Sequence, residues 1–159
     1  MKVIGIDPGY GITGWGVVEM GSARQFKCSG YGVVRTEAQL PLHRRLAVLY
    51  DEIFRLLSDF KPECAVVESL YFSSNRTTAG AVYQARGVIL LAIAGHDIEL
   101  MELGPGTIKN AVTGSGRAQK RDVIRMVERL LNLSKISPDD AADALAGAIA
   151  GAVARKGMS

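Results

Sequence analysis

The chain predicts an α/β domain with a mixed sheet, and three observations carry that expectation. Its first 35 residues hold three β-type runs separated by short connections containing Gly or Ser, the pattern of an antiparallel meander. At residue 42 the apolar period changes from two to that of a helix. After that helix comes another short apolar run, residues 64–68. A strand that follows a helix in this way lies parallel to an earlier one through a right-handed crossover.

Val3-Ile4-Gly5-Ile6 is a β-branched run typical of a buried central strand, and Asp7-Pro8-Gly9 ends it in a turn with a carboxylate at the strand's last position. Residues 11–19 form the second strand. Gly14 and Gly16 share one of its faces, which signals close approach by another backbone or a ligand. Residues 26–35 form the third. In 42–60, Leu42, Leu46, Leu49, Ile53, Leu56, Leu57 and Phe60 recur at helical spacing with Arg44, Arg45, Asp51, Glu52 and Arg55 between them.

Pro62 stops this helix, and the strand Cys64-Ala65-Val66-Val67-Glu68 should bring Glu68 to the same sheet edge as Asp7. Ser73-Ser74-Asn75 reads as a polar loop. The helix expected over 77–95 is apolar nearly all round, so it is either deep in the core or covered by a partner subunit. Residues 98–103 read as a fifth strand, Gly104-Pro105-Gly106 as a turn, and Thr107 as the cap of a short helix. A helix over about 118–131 turns Val123, Ile124, Val127, Leu130 and Leu131 inward and Arg121, Arg125 and Arg129 outward. The last helix runs to Arg155, with Ser137 as its cap and Pro138 at its first position.

Composition narrows the function classes. The 159 residues are 48% hydrophobic and 22% charged, suited to one folded domain over 1–159 and unsuited to disorder. The longest apolar stretch, 88–94, is far shorter than the ~20 residues a bilayer requires, and Asp7 interrupts any signal-peptide core, so a cytoplasmic protein is expected. Cys28 and Cys64 have neither metal nor redox spacing, and His43 and His96 stand apart from other ligand types. Net charge is +3, yet residues 104–129 alone carry six basic side chains against two acids. Such a segment suits a polyanion.

Asp139 and Asp140 suit a first helical turn for its dipole alone. Asp143 does not: it sits in Ala141-Ala142-Asp143-Ala144-Leu145-Ala146, on a helix otherwise built for burial, where an unpaired carboxylate is costly. Asp140 and Asp143 are three apart and share a face. With Asp7 and Glu68 they make a set of four carboxylates without His or Cys. That set suits a hard cation, Mg2+ or Mn2+, and paired ions of this kind serve phosphoryl transfer.

Ile6-Asp7-Pro8-Gly9, Glu68 followed by Tyr71-Phe72, Gln84-Ala85-Arg86-Gly87 and Asp140-Ala141-Ala142-Asp143-Ala144-Leu145 resemble, in order and spacing, the RuvC family of Holliday-junction resolvases. The resemblance implies a ribonuclease-H-like fold, with a five-stranded mixed sheet of three antiparallel and two parallel strands flanked by helices. It implies a homodimer that nicks two opposing strands of a four-way DNA junction and leaves ligatable 5′-phosphate ends, with two Mg2+ per subunit, replaceable by Mn2+. A RuvA–RuvB branch-migration complex is the further partner it suggests. Asp7, Glu68, Asp140 and Asp143 match the family's metal-binding and catalytic acids, with Asp139 as a second candidate beside Asp140. Lys109 and Lys120 match basic residues facing the cleft. Either Tyr71 or Phe72 matches an aromatic wedge between bases, and Arg76 and Arg117 are expected on DNA beside them. Two other readings use parts of the same pattern: a non-catalytic DNA-structure binder of this fold, and a fragment of an actin- or sugar-kinase-like ATPase.

Overall fold

A computed structural model describes residues 1–9, 11–23, 25–69 and 76–157, with the side chains of 76–78 left aside. The strands are β1 (Lys2–Asp7), β2 (Ile12–Met20), β3 (Phe26–Arg35), β4 (Cys64–Glu68) and β5 (Glu99–Leu103). The helices are α1 (Leu42–Phe60), α2 (Arg76–Ala94), α3 (Pro105–Thr113), α4 (Lys120–Leu131) and α5 (Asp139–Gly157). The sheet order is β3-β2-β1-β4-β5, antiparallel from β3 to β1 and parallel from β1 through β5. This is the ribonuclease-H-like arrangement that the resemblance implies.

Period-two alternation divides the core between the two faces of the sheet. Ile4, Ile6, Val17, Ala65 and Val67 pack under α1 and α2 with Leu49, Ile53, Ala85 and Ile89. Val3, Val18, Cys64 and Val66 pack under α5, α3 and α4 with Ile108, Val127, Leu145 and Ile149. Since Asp7 keeps the parity of Val3, and Glu68 that of Cys64 and Val66, both acids belong to the face that α5 covers.

α5 can cover that face closely because both surfaces are stripped of side chains. A Cβ on Gly14 would fall on the carbonyl oxygen of Asp140, and one on Gly5 on that of Ala144. One on Gly16 would stand 2.6 Å from the Leu145 side chain. The close approach signalled by Gly14 and Gly16 is therefore that of α5, whose residues 144–152 are buried and mostly Ala or Gly.

Two helix expectations are corrected. Thr107 does not cap α3: Gly104 does, with Pro105 at the first helical position, where its fixed φ is preorganised and its missing N–H costs nothing. α5 begins at Asp139, and Pro138 lies just before it, its carbonyl accepting from Ala141 N at 3.1 Å. α2 has two sides: Ala85, Ile89, Ala92 and Ile93 are buried, while Leu91 is 62% exposed.

Candidate active site

β1 and β4 run parallel with Ile6 opposite Val67, so Asp7 and Glu68 occupy the next position on neighbouring strands. Asp7 also faces Gly14 across the β1/β2 ladder, and Gly14 is where the backbone of Asp140 rests. Asp143 follows one turn later. Two strand ends and the first turns of one helix thus bring together four acids distant in sequence.

Their electrostatics report that proximity. The Asp7 carboxyl is raised from 3.8 to about 7, first by burial and then by the charges of Asp143, Glu68 and Asp140, with Lys120 opposing. Burial and Asp143 raise Glu68 as well, against Lys109 and Lys120. Lys120, first residue of α4, donates from Nζ to Asp143 Oδ2 at 2.8 Å and lies 3.7 Å from Asp139 Oδ2. That bond raises its own pKa. Asp139 is the outlying acid: it is exposed and does not figure among the charges acting on Asp7, whereas Asp140 does.

Beside the acids opens a cleft of about 270 Å3, lined by Glu68, Pro105, Ile108, Lys109, Lys120, Val123, Asp143 and Ala146. The two lysines come from α3 and α4, so the lining sets two positive charges beside the carboxylates of Glu68 and Asp143. A donor set made of carboxylate oxygens alone, with one carboxyl pushed up by its neighbours, fits a hard divalent cation in kind. Among the described residues, no group of three or more acids, histidines or cysteines is gathered tightly enough to hold an ion with the side chains as they stand. Asp143 instead turns to Lys120.

The remaining candidates fall elsewhere. Arg117 is exposed on the connection between α3 and α4, away from the cleft lining. Tyr71, Phe72 and the side chain of Arg76 lie outside the described residues, as does the 73–75 loop. Two arginines take structural places that their positions in the sequence do not assign them. Arg86, within the Gln84-Ala85-Arg86-Gly87 motif, ties α2 to β5 through an ion pair with Glu102. Arg45, expected among the polar positions of α1, is buried, one turn from Leu42 and Leu49 on the apolar face. The signal was its spacing: a charge at i+3 from Leu42 and i−4 from Leu49 lies within the apolar stripe.

Residues 3–151 match the family model described as crossover junction endodeoxyribonuclease RuvC. A crossover junction endodeoxyribonuclease RuvC of Thermosipho melanesiensis is 50% identical over 147 residues, 92% of this chain and 93% of that protein. Among solved structures, RuvC of Thermus thermophilus superposes with a TM-score of 0.90 at 34% identity, covering 99% of this chain and 97% of that one. The T. thermophilus RuvC bound to a Holliday junction substrate superposes with a TM-score of 0.89 at 32% identity and the same coverage.

Proposed function

The chain belongs to the RuvC family of crossover junction endodeoxyribonucleases, and from that premise we propose that Asp7, Glu68, Asp140 and Asp143 are the acids through which it cuts Holliday junctions. It is an endodeoxyribonuclease that resolves four-way DNA junctions. The observation that carries the site assignment is convergence: Asp7 and Glu68 end neighbouring parallel strands, and the backbone of Asp140 rests on Gly14, the cross-strand partner of Asp7.

The four acids would hold Mg2+, two ions per subunit, with Mn2+ as a substitute. The chemistry such ions supply is to make a water nucleophilic at neutral pH and to offset charge on the phosphate and its leaving oxygen in an in-line displacement. The protein's own part is placement. Asp7, at the end of the central strand β1, is the middle member of the set. Glu68 and Asp143 flank the cleft, and Asp140 closes the set from the helix. Lys109 and Lys120 face the phosphates on either side of the scissile one, and Lys120, by holding Asp143, keeps that carboxylate directed into the cleft. Arg117, Arg76 and the Tyr71-Phe72 pair extend the contact along the junction arms.

A homodimer supplies two such sites, one for each of two opposing strands. The exposed apolar side of α2 supports it. Junctions delivered by a RuvA–RuvB complex are the substrate such a dimer would receive. The test is Asp7→Asn on a synthetic mobile four-way junction with Mg2+, with products separated on a denaturing gel. Cutting should be abolished while junction binding persists. Nicking at near the parental rate would overturn the assignment.

A further inference from the structure

Among the described residues two polar or charged side chains are buried, Thr13 at 2% exposure and Arg45 at 5%. Both lie against the same short stretch, the turn by which the chain leaves β1 after Asp7. Thr13 Oγ1 donates to the Gly9 carbonyl at 3.4 Å and lies 3.5 Å from Gly9 N. Thr36 N, just beyond β3, donates to the Gly11 carbonyl at 3.1 Å. Arg45 Nε donates to Thr36 Oγ1 at 3.0 Å, and Arg45 Nη2 lies 3.2 Å from where a Cβ on Gly11 would stand. Gly9, Gly11, Thr36, Arg45 and, from α2, Ala81 and Ala85 close around a void of about 10 Å3.

Stability does not account for an arginine here. Its position is on the apolar face of α1 with Leu46 and Leu49, where a leucine would be buried without the desolvation that a guanidinium carries. The largest charge effects on Asp7 come from Asp143, Glu68, Asp140 and Lys120. What a guanidinium adds is a rigid planar fork of donors that fixes several groups at once.

We propose that Arg45 is a positioning residue: its buried guanidinium, through Thr36 and the Gly11 backbone, holds the turn that follows Asp7 and so fixes the Asp7 carboxylate against the acids of α5. This rests on the reading of Asp7 as a catalytic acid. Arg45 touches no substrate and acts through the main chain. The effect is large in rate because displacements of about 1 Å at a reacting centre cost on the order of 100-fold.

Two variants test it. Arg45→Met keeps the length of the side chain and removes every donor. Thr36→Val removes the hydroxyl that Arg45 grips and keeps the bond from Thr36 N to Gly11. With enzyme in excess over a synthetic junction in Mg2+, the single-turnover rate should fall about 10- to 100-fold in Arg45→Met and several-fold in Thr36→Val, with junction affinity in EDTA within about twofold of the parent. Amide exchange should quicken in the segment 8–14 and nowhere else, at a melting temperature within about 3 °C of the parent.

Parental rate with parental exchange at 8–14 would overturn the proposal. A uniform rise in exchange over the whole chain would do the same, since it would make Arg45 a residue of global stability. If Arg45→Met does not fold, Thr36→Val is read by the same two criteria. Asp7→Asn, run alongside, separates the two failures. Asp7→Asn cutting at the parental rate overturns the catalytic reading; an inactive Asp7→Asn beside a fully active, normally exchanging Arg45→Met overturns the role of Arg45 alone.

Discussion

The carbonyl oxygen of Asp140 rests where a side chain on Gly14 would begin, and Gly14 is the cross-strand partner of Asp7. The gathering of these acids therefore depends on an absent Cβ. Any larger residue at 14 would lift the first turn of α5 from the sheet and carry Asp140, and Asp143 behind it, away from Asp7. Gly14→Ala should destabilise the protein by about 2 kcal/mol, in the range of an overpacked core, and slow cutting more than about tenfold. Gly147→Ala is the control on the same helix. Its Cβ would meet Val66 Cγ1 at 3.8 Å, an ordinary contact, and the gain in helix propensity should stabilise by up to about 1 kcal/mol. Urea unfolding of both variants checks the pair of opposite signs.

Asp7 also makes metal-free stability depend on pH. Its carboxyl is raised to about 7 in the folded protein from 3.8. Between these values the folded state holds a proton that the unfolded state has released, so stability falls as pH rises and levels off above the folded value. The contribution is complete below the unfolded pKa and lost once pH passes about 7. In EDTA, Asp7→Asn should therefore be more stable than the parent at pH 8, by on the order of 4 kcal/mol, with the difference closing near pH 4. Adding Mg2+ should raise the melting temperature of the parent and leave that of the variant nearly unchanged. Thermal melts across pH, with and without Mg2+, read both effects.

Lys109 lines the cleft and acts on Glu68, and it is not the lysine that holds Asp143. The phosphate contact proposed for it is thus separable from any role in shaping the acids. Lys109→Ala should weaken junction binding whatever the sequence at the crossover, and should reduce the steepness of log affinity against log salt by about one. Titrations at several salt concentrations measure that slope, and an unchanged slope would remove Lys109 from the backbone contacts.

The parts of this structure legible in the sequence are those carried by local period and by position at an element's end. Strands such as Val3-Ile4-Gly5-Ile6 and helices such as that over 42–60 announce themselves through spacing, and Asp7 and Glu68 through standing last on parallel strands. Gly14 and Gly16 signal close approach by another backbone or a ligand, and the structure shows which. Less legible were features that depend on which way a side chain faces in the assembled core. Spacing alone places Arg45 within the apolar stripe of α1, but only the docked helix shows that it lies over the turn after Asp7. Arg86 sits within a recognisable motif, yet its partner Glu102 is 16 residues away on another element. At Gly104-Pro105-Gly106, turn composition and a helix start capped by Gly use the same residues, and only the following register distinguishes them.

The two-sidedness of α2 leads to the last prediction. Its inner face, Ala85, Ile89, Ala92 and Ile93, is consumed by the sheet and α1. Its outer face presents Leu91 at 62% exposure and Tyr83 at 39%, and α1 alongside adds Phe54 and Val48, each at 38%. A single exposed leucine is ordinary on a protein surface. Exposed apolar side chains on two helices packed against each other are what a subunit interface uses. Because Leu91 is so exposed within one chain, Leu91→Glu should change the stability of a monomer by no more than about 0.5 kcal/mol. Placed in a dimer interface the same carboxylate would be desolvated without a partner, which costs several kcal/mol and is enough to dissociate the subunits at micromolar concentration. Sedimentation velocity should then show the parent as a dimer and the variant as a monomer. On a junction, the monomer should nick single strands without the paired cuts in opposing strands that resolution requires. A parent that sediments as a monomer, or a variant that remains dimeric, would place the interface elsewhere or remove it.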